Sequence, residues 1–304
     1  EKKKNQVRRR MFASLFIAVS TLSAIANAAE NAYQPLIRLP TALRQPITAI
    51  YNDYLYVFGG QNATANTAGG LNTKMWRINL ANKFSLVGQT DVTHTLDESQ
   101  WEMVDVTYPT YGVGKDGIFL CNDQCSATIG QYLYIVNPFN ISGSSPAYAS
   151  NVIYRLDLSS NPPAFASQSE FDFGWAGVRY PCVTAVDDKL YIAYGYFSPS
   201  SYSTDISVYD PATNTMTALT GNTNGVSRAH AGCAGNVGGT NVYFFGGRTS
   251  STTAGYPVVD YYRISGDSWS NALNDVSNYD WDPTNGANTR GRLRCLTLPH
   301  QNKI

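Results

Sequence analysis

One phrase returns four times along this chain and limits it to a repeating architecture. It reads Leu55-Tyr56-Val57-Phe58-Gly59-Gly60, then Leu133-Tyr134-Ile135-Val136, Leu190-Tyr191-Ile192-Ala193-Tyr194-Gly195 and Val242-Tyr243-Phe244-Phe245-Gly246-Gly247. A supersecondary unit recurring every ~50 residues cannot bury its apolar faces alone and predicts a radial array of small sheets.

Each copy is preceded by a short strand. Five candidates share the pattern: 46–50, 125–129, 182–186, 233–237 and 295–299. Alternate positions of a strand share a face, and here that face carries mostly Cys, a small residue and an aliphatic one. Small side chains suit the innermost strand of a propeller blade, where neighbouring blades crowd the axis. Asn52-Asp53 and Asp187-Asp188 mark hairpins into the repeated strand. Third strands are predicted at 74–79, 151–157, 205–210 and 259–264. Fourth strands are predicted to begin near Phe84, Phe165, Met216 and Trp269. Four strands make one blade.

This pattern resembles the kelch repeat, in which a hydrophobic strand ends in Gly-Gly and later Tyr and Trp residues pack between blades. The resemblance covers about residues 36–304 and implies an all-β, kelch-type β-propeller. Gly59-Gly60 and Gly246-Gly247 carry the diglycine; Asn137-Pro138 and Tyr194-Gly195 depart from it. The first interval between copies is the longest, and its extra residues, 90–119, are read as a long loop or additional hairpin. Because Cys295–Ile304 repeats only the opening of a blade, the expected architecture is four blades plus the first strand of a fifth, an incomplete ring. A compact ring of four or five blades is the alternative.

The N-terminus reads as an export signal. A basic stretch ending at Arg10 precedes an apolar run from Phe12 to Ile25, and Ala26-Asn27-Ala28 offers a cleavage site before Ala29. Met11 is the expected start, with residues 1–10 upstream of it, 11–28 a signal and 29–304 a secreted propeller without a stable membrane span. Basic and acidic residues balance at 22 each, which gives no electrostatic reason to expect nucleic acid.

Basic residues gather just before several inner strands: Arg44, Arg179, Arg228 with His230, and Arg290 with Arg292. In an up-and-down blade these loops share an end with the loops between strands two and three. They are therefore candidates to ring a channel mouth and bind a protein or carbohydrate ligand. Arg is suited to carboxylates and sulfates; it serves equally to tie loops together. The resemblance likewise implies ligand binding through mouth loops. Asn62 and Asn140 open glycosylation sequons in the strand two-to-three connections. Cys121 and Cys125 are a candidate disulfide across a short loop. Cys125, Cys182, Cys233 and Cys295 occupy equivalent places and are read as packing residues.

The alternative function is the propeller portion of a carbohydrate-active copper oxidase resembling galactose oxidase. That chemistry needs paired His and Tyr ligands, and His94, His230 and His300 fall in no motif that matches them. No catalytic residue, metal site or cofactor is assigned from the sequence.

Overall fold

The computed structural model describes residues 39–41, 43–44, 46–62, 72, 74–80, 100–109, 124–136, 141–142, 145–146, 152–166, 171–172, 181–193, 195–198, 201–219, 227–229, 231–235, 239–247 and 259–273. All the sheets lie in a unit formed by Thr41–Thr90 and Trp101–Ile304. The second unit, Glu1–Pro40 with Asp91–Gln100, falls almost entirely outside the described residues, and with it the expected export signal. The expected fifth-blade strand at 295–304 also lies outside them. Among the described residues no helix is long and apolar enough to cross a membrane.

Among the described residues four antiparallel meander sheets follow one another along the chain; three have four strands, and that of blade two has a fifth that shares its outer edge. After the short strand β1 (Leu43–Arg44), blade one contains β2 (Ile47–Tyr51) and β3 (Tyr54–Phe58). The two-residue β4 (Gln61–Asn62), β5 (Met75–Asn79) and β6 (Glu102–Val104) follow. Asn52 and Asp53 both take positive φ, 46° and 62°; this left-handed pair matches the twist of a two-residue hairpin.

Blade two contains β7 (Ser126–Ile129) and β8 (Tyr132–Val136), a small ribbon of β9 (Ile141–Ser142) and β10 (Ser145–Pro146), and β11 (Val152–Asp157). Its outer edge is shared by β12 (Ala164–Phe165) and β13 (Phe171–Asp172), both paired with β11. Blade three contains β14 (Cys182–Val186) and β15 (Lys189–Ala193), the ribbon β16 (Tyr196–Ser198) and β17 (Ser201–Tyr202), then β18 (Ile206–Asp210) and β19 (Thr215–Ala218). Blade four contains β20 (Gly232–Gly235), β21 (Asn241–Phe245), β22 (Val259–Arg263) and β23 (Ser268–Leu273).

The predicted fourth strand near Phe84 requires correction. Phe84 lies outside the described residues, and the strand that pairs with β5 comes from the presumed insertion, with Met75 opposite Val104 and Arg77 opposite Glu102. Trp101 and Val104 are buried there. Arg77 holds Glu102 in a two-pronged hydrogen bond, Nε to Oε2 at 2.7 Å and Nη2 to Oε1 at 2.8 Å.

The core is split into layers between consecutive blades. Tyr56, Phe58 and Met75 of blade one meet Leu133, Ile135 and Leu156 of blade two. Tyr134, Val136 and Ile153 of blade two meet Val183, Leu190 and Tyr209 of blade three. Tyr191, Ala193 and Ile206 of blade three meet Val242, Phe244 and Tyr262 of blade four. In blades one to three the second residue of the repeated phrase, Tyr, thus faces the next blade, while in blades two to four the first, Leu or Val, faces the previous one. Strand alternation sends the two to opposite sides of the sheet.

Late aromatics lock the outer strands. Trp269 lies against Phe244 and Tyr262, with ring centroids 5.1 and 5.7 Å apart. Tyr209 and Tyr262 occupy equivalent places, and each donates its hydroxyl proton to the left-handed residue of the following turn, Asn214 or Asp267. Burial, then the Asp267 carboxylate, pushes the Tyr262 phenol well above its ordinary value.

Candidate functional site

The loops preceding the inner strands and those joining strands two and three do share one end of the array. In blade one they pair directly: β1 runs antiparallel to β4, with Leu43 opposite Asn62 and Arg44 opposite Gln61. Between blades three and four the backbone of Arg228 bridges them. Gly195 N–H donates to Arg228 O at 2.9 Å, and Arg228 N–H donates to Ser203 O at 3.2 Å.

The diglycine turns build this end. Gly59, Gly60, Gly246 and Gly247 all have positive φ, a conformation that a side chain disfavours. A Cβ on Gly247 would lie 2.8 Å from Ala229 O and 3.1 Å from Ala231 N, so the turn also presses on the segment entering the inner strand. Polar side chains hold the turns from within. Asn72, buried, donates from Nδ2 to Gly59 O at 3.0 Å and to Lys74 O at 2.8 Å. The Tyr108 hydroxyl lies near the Gly59 backbone, and burial pushes its pKa well up.

Arg228 does the same for blade four. Its side chain is 0% exposed; it forms an ion pair with Asp260, also buried, and donates from Nη1 to Gly246 O at 3.2 Å. The guanidinium therefore ties a third strand, a diglycine turn and an inner-strand entry, which is the loop-tying role its position left open beside ligand binding. It is not presented to solvent. Of the other proposed ring members, Arg44 is described by its backbone in β1. Its side chain and the whole of Arg179, His230, Arg290 and Arg292 lie outside the described residues. Asn62 stands in β4 with its side chain outside them, as is all of Asn140. His94 and His300 also lie outside, and among the described residues no group of three His, Cys, Asp or Glu could hold a metal ion.

The cysteines correct the packing-only reading. Cys182 and Cys233 form a disulfide between the inner strands of blades three and four, with Cα atoms 5.9 Å apart. Equivalent sites on adjacent blades reach bridging distance because these strands run nearly in contact. A Cβ on Gly235 would overlap Val186 Cγ2, and Gly235 N–H donates to Thr184 Oγ1 at 3.2 Å. Cys125 is disulfide-bonded as well. Its predicted partner, Cys121, lies outside the described residues, as does Cys295.

Sequence reading missed three residues that organise this end: Asp260, Asn72 and Gln124. Gln124, buried beside the entry to β7, accepts from Cys233 N–H at 3.0 Å and donates from Nε2 to Cys233 O at 2.7 Å. Its backbone O accepts from Val183 N–H at 2.8 Å. One residue of blade two thus joins blades three and four. For Asp260 a signal existed, a carboxylate at an inward-facing place of a predicted strand.

Residues 178–215 match the family model of the Kelch motif. The match covers blade three from the approach to β14 to the start of β19. No curated protein matches the chain. The matched repeat and the four successive meander sheets are consistent with kelch-type β-propeller blades.

Proposed function

We propose that this chain is a secreted kelch-repeat binding module that recognises a protein or glycan through the loops gathered at the β1–β4 end. The observation that carries the reading is that pairing of β1 with β4, together with the Arg228 backbone bridge. Two classes of loop converge there on a scaffold stiffened by disulfide and ion pair. Binding sites concentrate on loops positioned by rigid strands. The buried Cys182–Cys233 bridge supports maturation in an oxidising compartment, in keeping with the export signal read at 11–28.

Ligand recognition falls to the basic residues other than Arg228, whose charge is already used internally. Arg44, Arg179 and Arg292 suit a carboxylate- or sulfate-bearing partner. Glycan and peptide arrays probed with the wild type and with Arg44→Ala, Arg179→Ala and Arg292→Ala test this. Loss of the array signals in one or more variants, with unchanged circular dichroism, is expected. Unchanged binding in all three overturns the role of the basic loops. N-terminal sequencing of exported protein is expected to begin at Ala29.

A further inference from the structure

We infer that a second copy of this chain pairs with this one through β19, strand against strand, antiparallel about a two-fold axis at Thr217. Blade three has a neighbour packed on each face, blade two on one and blade four on the other. Its open side is the outer edge. β19 ends the strand order of its sheet, and among the described residues no strand or backbone group pairs with its outer side. Leu219 N–H donates inward to Ile206 O at 3.0 Å. Bonds of an antiparallel ladder alternate along the strand, so Thr215, Thr217 and Leu219 bond to β18, while the N–H and C=O of Met216 and Ala218 point outward.

An edge of this kind recruits another strand unless charge, shortness or a bulge guards it. The other described outer strands are guarded. β6 carries the exposed Glu102, β12 and β13 are two residues each, and β23 meets β22 with a register shift. β19 has none of these devices. Thr215–Ala218 pair with β18 without a break and carry no charge, and Thr215, Thr217 and Ala218 are exposed. The strand is also its own complement. Run antiparallel about Thr217, Met216 of each copy stands opposite Ala218 of the other, and each such pair exchanges two backbone hydrogen bonds. Every outward N–H and C=O of Met216 and Ala218 is then satisfied. The large Met216 meets the small Ala218, Thr215 meets Leu219, and Thr217 meets its own copy in a stabilising Thr–Thr pair. No like charges meet at the axis, as Glu102 would if β6 paired with itself. A foreign strand supplies the same hydrogen bonds but has no cause to match this side-chain order, so the palindromic match favours the chain's own copy.

Analytical ultracentrifugation of the purified chain across a concentration series tests the inference. Wild type is expected to pass from monomer mass to twice that mass and no further, because a two-fold contact closes on itself. Ala218→Pro removes an outward N–H and leaves the bonds to β18 in place. It is expected to weaken association about thirtyfold, since two hydrogen bonds are lost per dimer. Thr217→Lys and Thr217→Glu each set like charges directly opposite at the axis and are expected to weaken association about fivefold. An equimolar mixture of these two charge variants is expected to pair at least as tightly as wild type, because opposite charges then face each other. That recovery separates a pairing defect from misfolding. A wild type that stays monomeric at every concentration overturns the inference and leaves the edge to an extended segment of another protein. Association that none of the three substitutions weakens, or charge variants that mixing does not rescue, overturns it as well.

Discussion

Removing the Cys182–Cys233 bridge should weaken the blade three–four junction severely. The bridge closes a loop with a sequence separation of 51, and cross-linking a loop of that size removes unfolded-chain entropy worth about 4 kcal/mol at 25 °C. Both cysteines are fully buried, so reductant reaches them only after the junction opens. Three outcomes follow for urea unfolding followed by circular dichroism. The oxidised wild type should unfold about 4 kcal/mol harder than Cys182→Ala/Cys233→Ala. Reductant should leave the folded wild type unchanged over the time of a measurement. After complete unfolding in reductant, wild type and double variant, both refolded with reductant present, should match, because each then also lacks the bridge of Cys125. Non-reducing peptide mapping supplies the control by recovering the peptides of Cys182 and Cys233 as one species. Equal stability of variant and oxidised wild type, within about 1 kcal/mol, would refute the entropic reasoning. Separate peptides would refute the bridge itself.

Two further changes test the charges. Asp260→Asn leaves the Arg228 guanidinium buried without its counter-charge and should cost about 3–5 kcal/mol, read by thermal or urea unfolding; a loss under about 1 kcal/mol would contradict the buried pair. At the blade one edge, Arg77 holds the Glu102 carboxyl below its ordinary 4.5. Its folded-state pKa is depressed, so its contribution is present above the ordinary value and is lost as pH falls through the folded value. Because Glu102 is largely exposed, solvent screening limits that contribution to about 0.5 kcal/mol. Glu102→Gln should therefore lower stability slightly at pH 7 and flatten the loss below pH ~4, and an unchanged acid limb would refute the pairing.

The repeated phrase was legible because strand alternation forces it: one residue looks forward, one back, and the diglycine must turn. The Kelch match falls on blade three, whose Tyr194-Gly195 departs from the diglycine. Its short hairpin at Asp187-Asp188 and the Tyr209 turn lock keep ordinary spacing. Blade one was harder. Its outer strand follows a long excursion, and nothing local distinguishes Phe84 from Trp101 as its start. What holds β6 against β5 is the burial of Trp101 and Val104 together with the meeting of Glu102 and Arg77 across the pair, contacts distant in sequence. The cysteines misled for a related reason. Their equivalence was visible, but the small Gly235 that lets two inner strands close together did not itself predict a bridge. Arg228 was found by position, and its role depended on Asp260, which lies beyond the intervening β20–β21 hairpin.

Gln124 carries a consequence for how such a chain can change. Stacked repeats are ordinarily modular, since each unit touches only its neighbours and units can be duplicated, lost or exchanged. Here the amide of Gln124 grips the peptide of Cys233 across the span of a whole blade. Inserting or deleting a blade between them would leave two buried polar groups unmatched, and swapping blade four alone would lose the grip wherever the incoming inner strand ran at a different height. Blades two to four therefore form one heritable block, in which recombination at blade boundaries is penalised by a side chain rather than by the repeat itself.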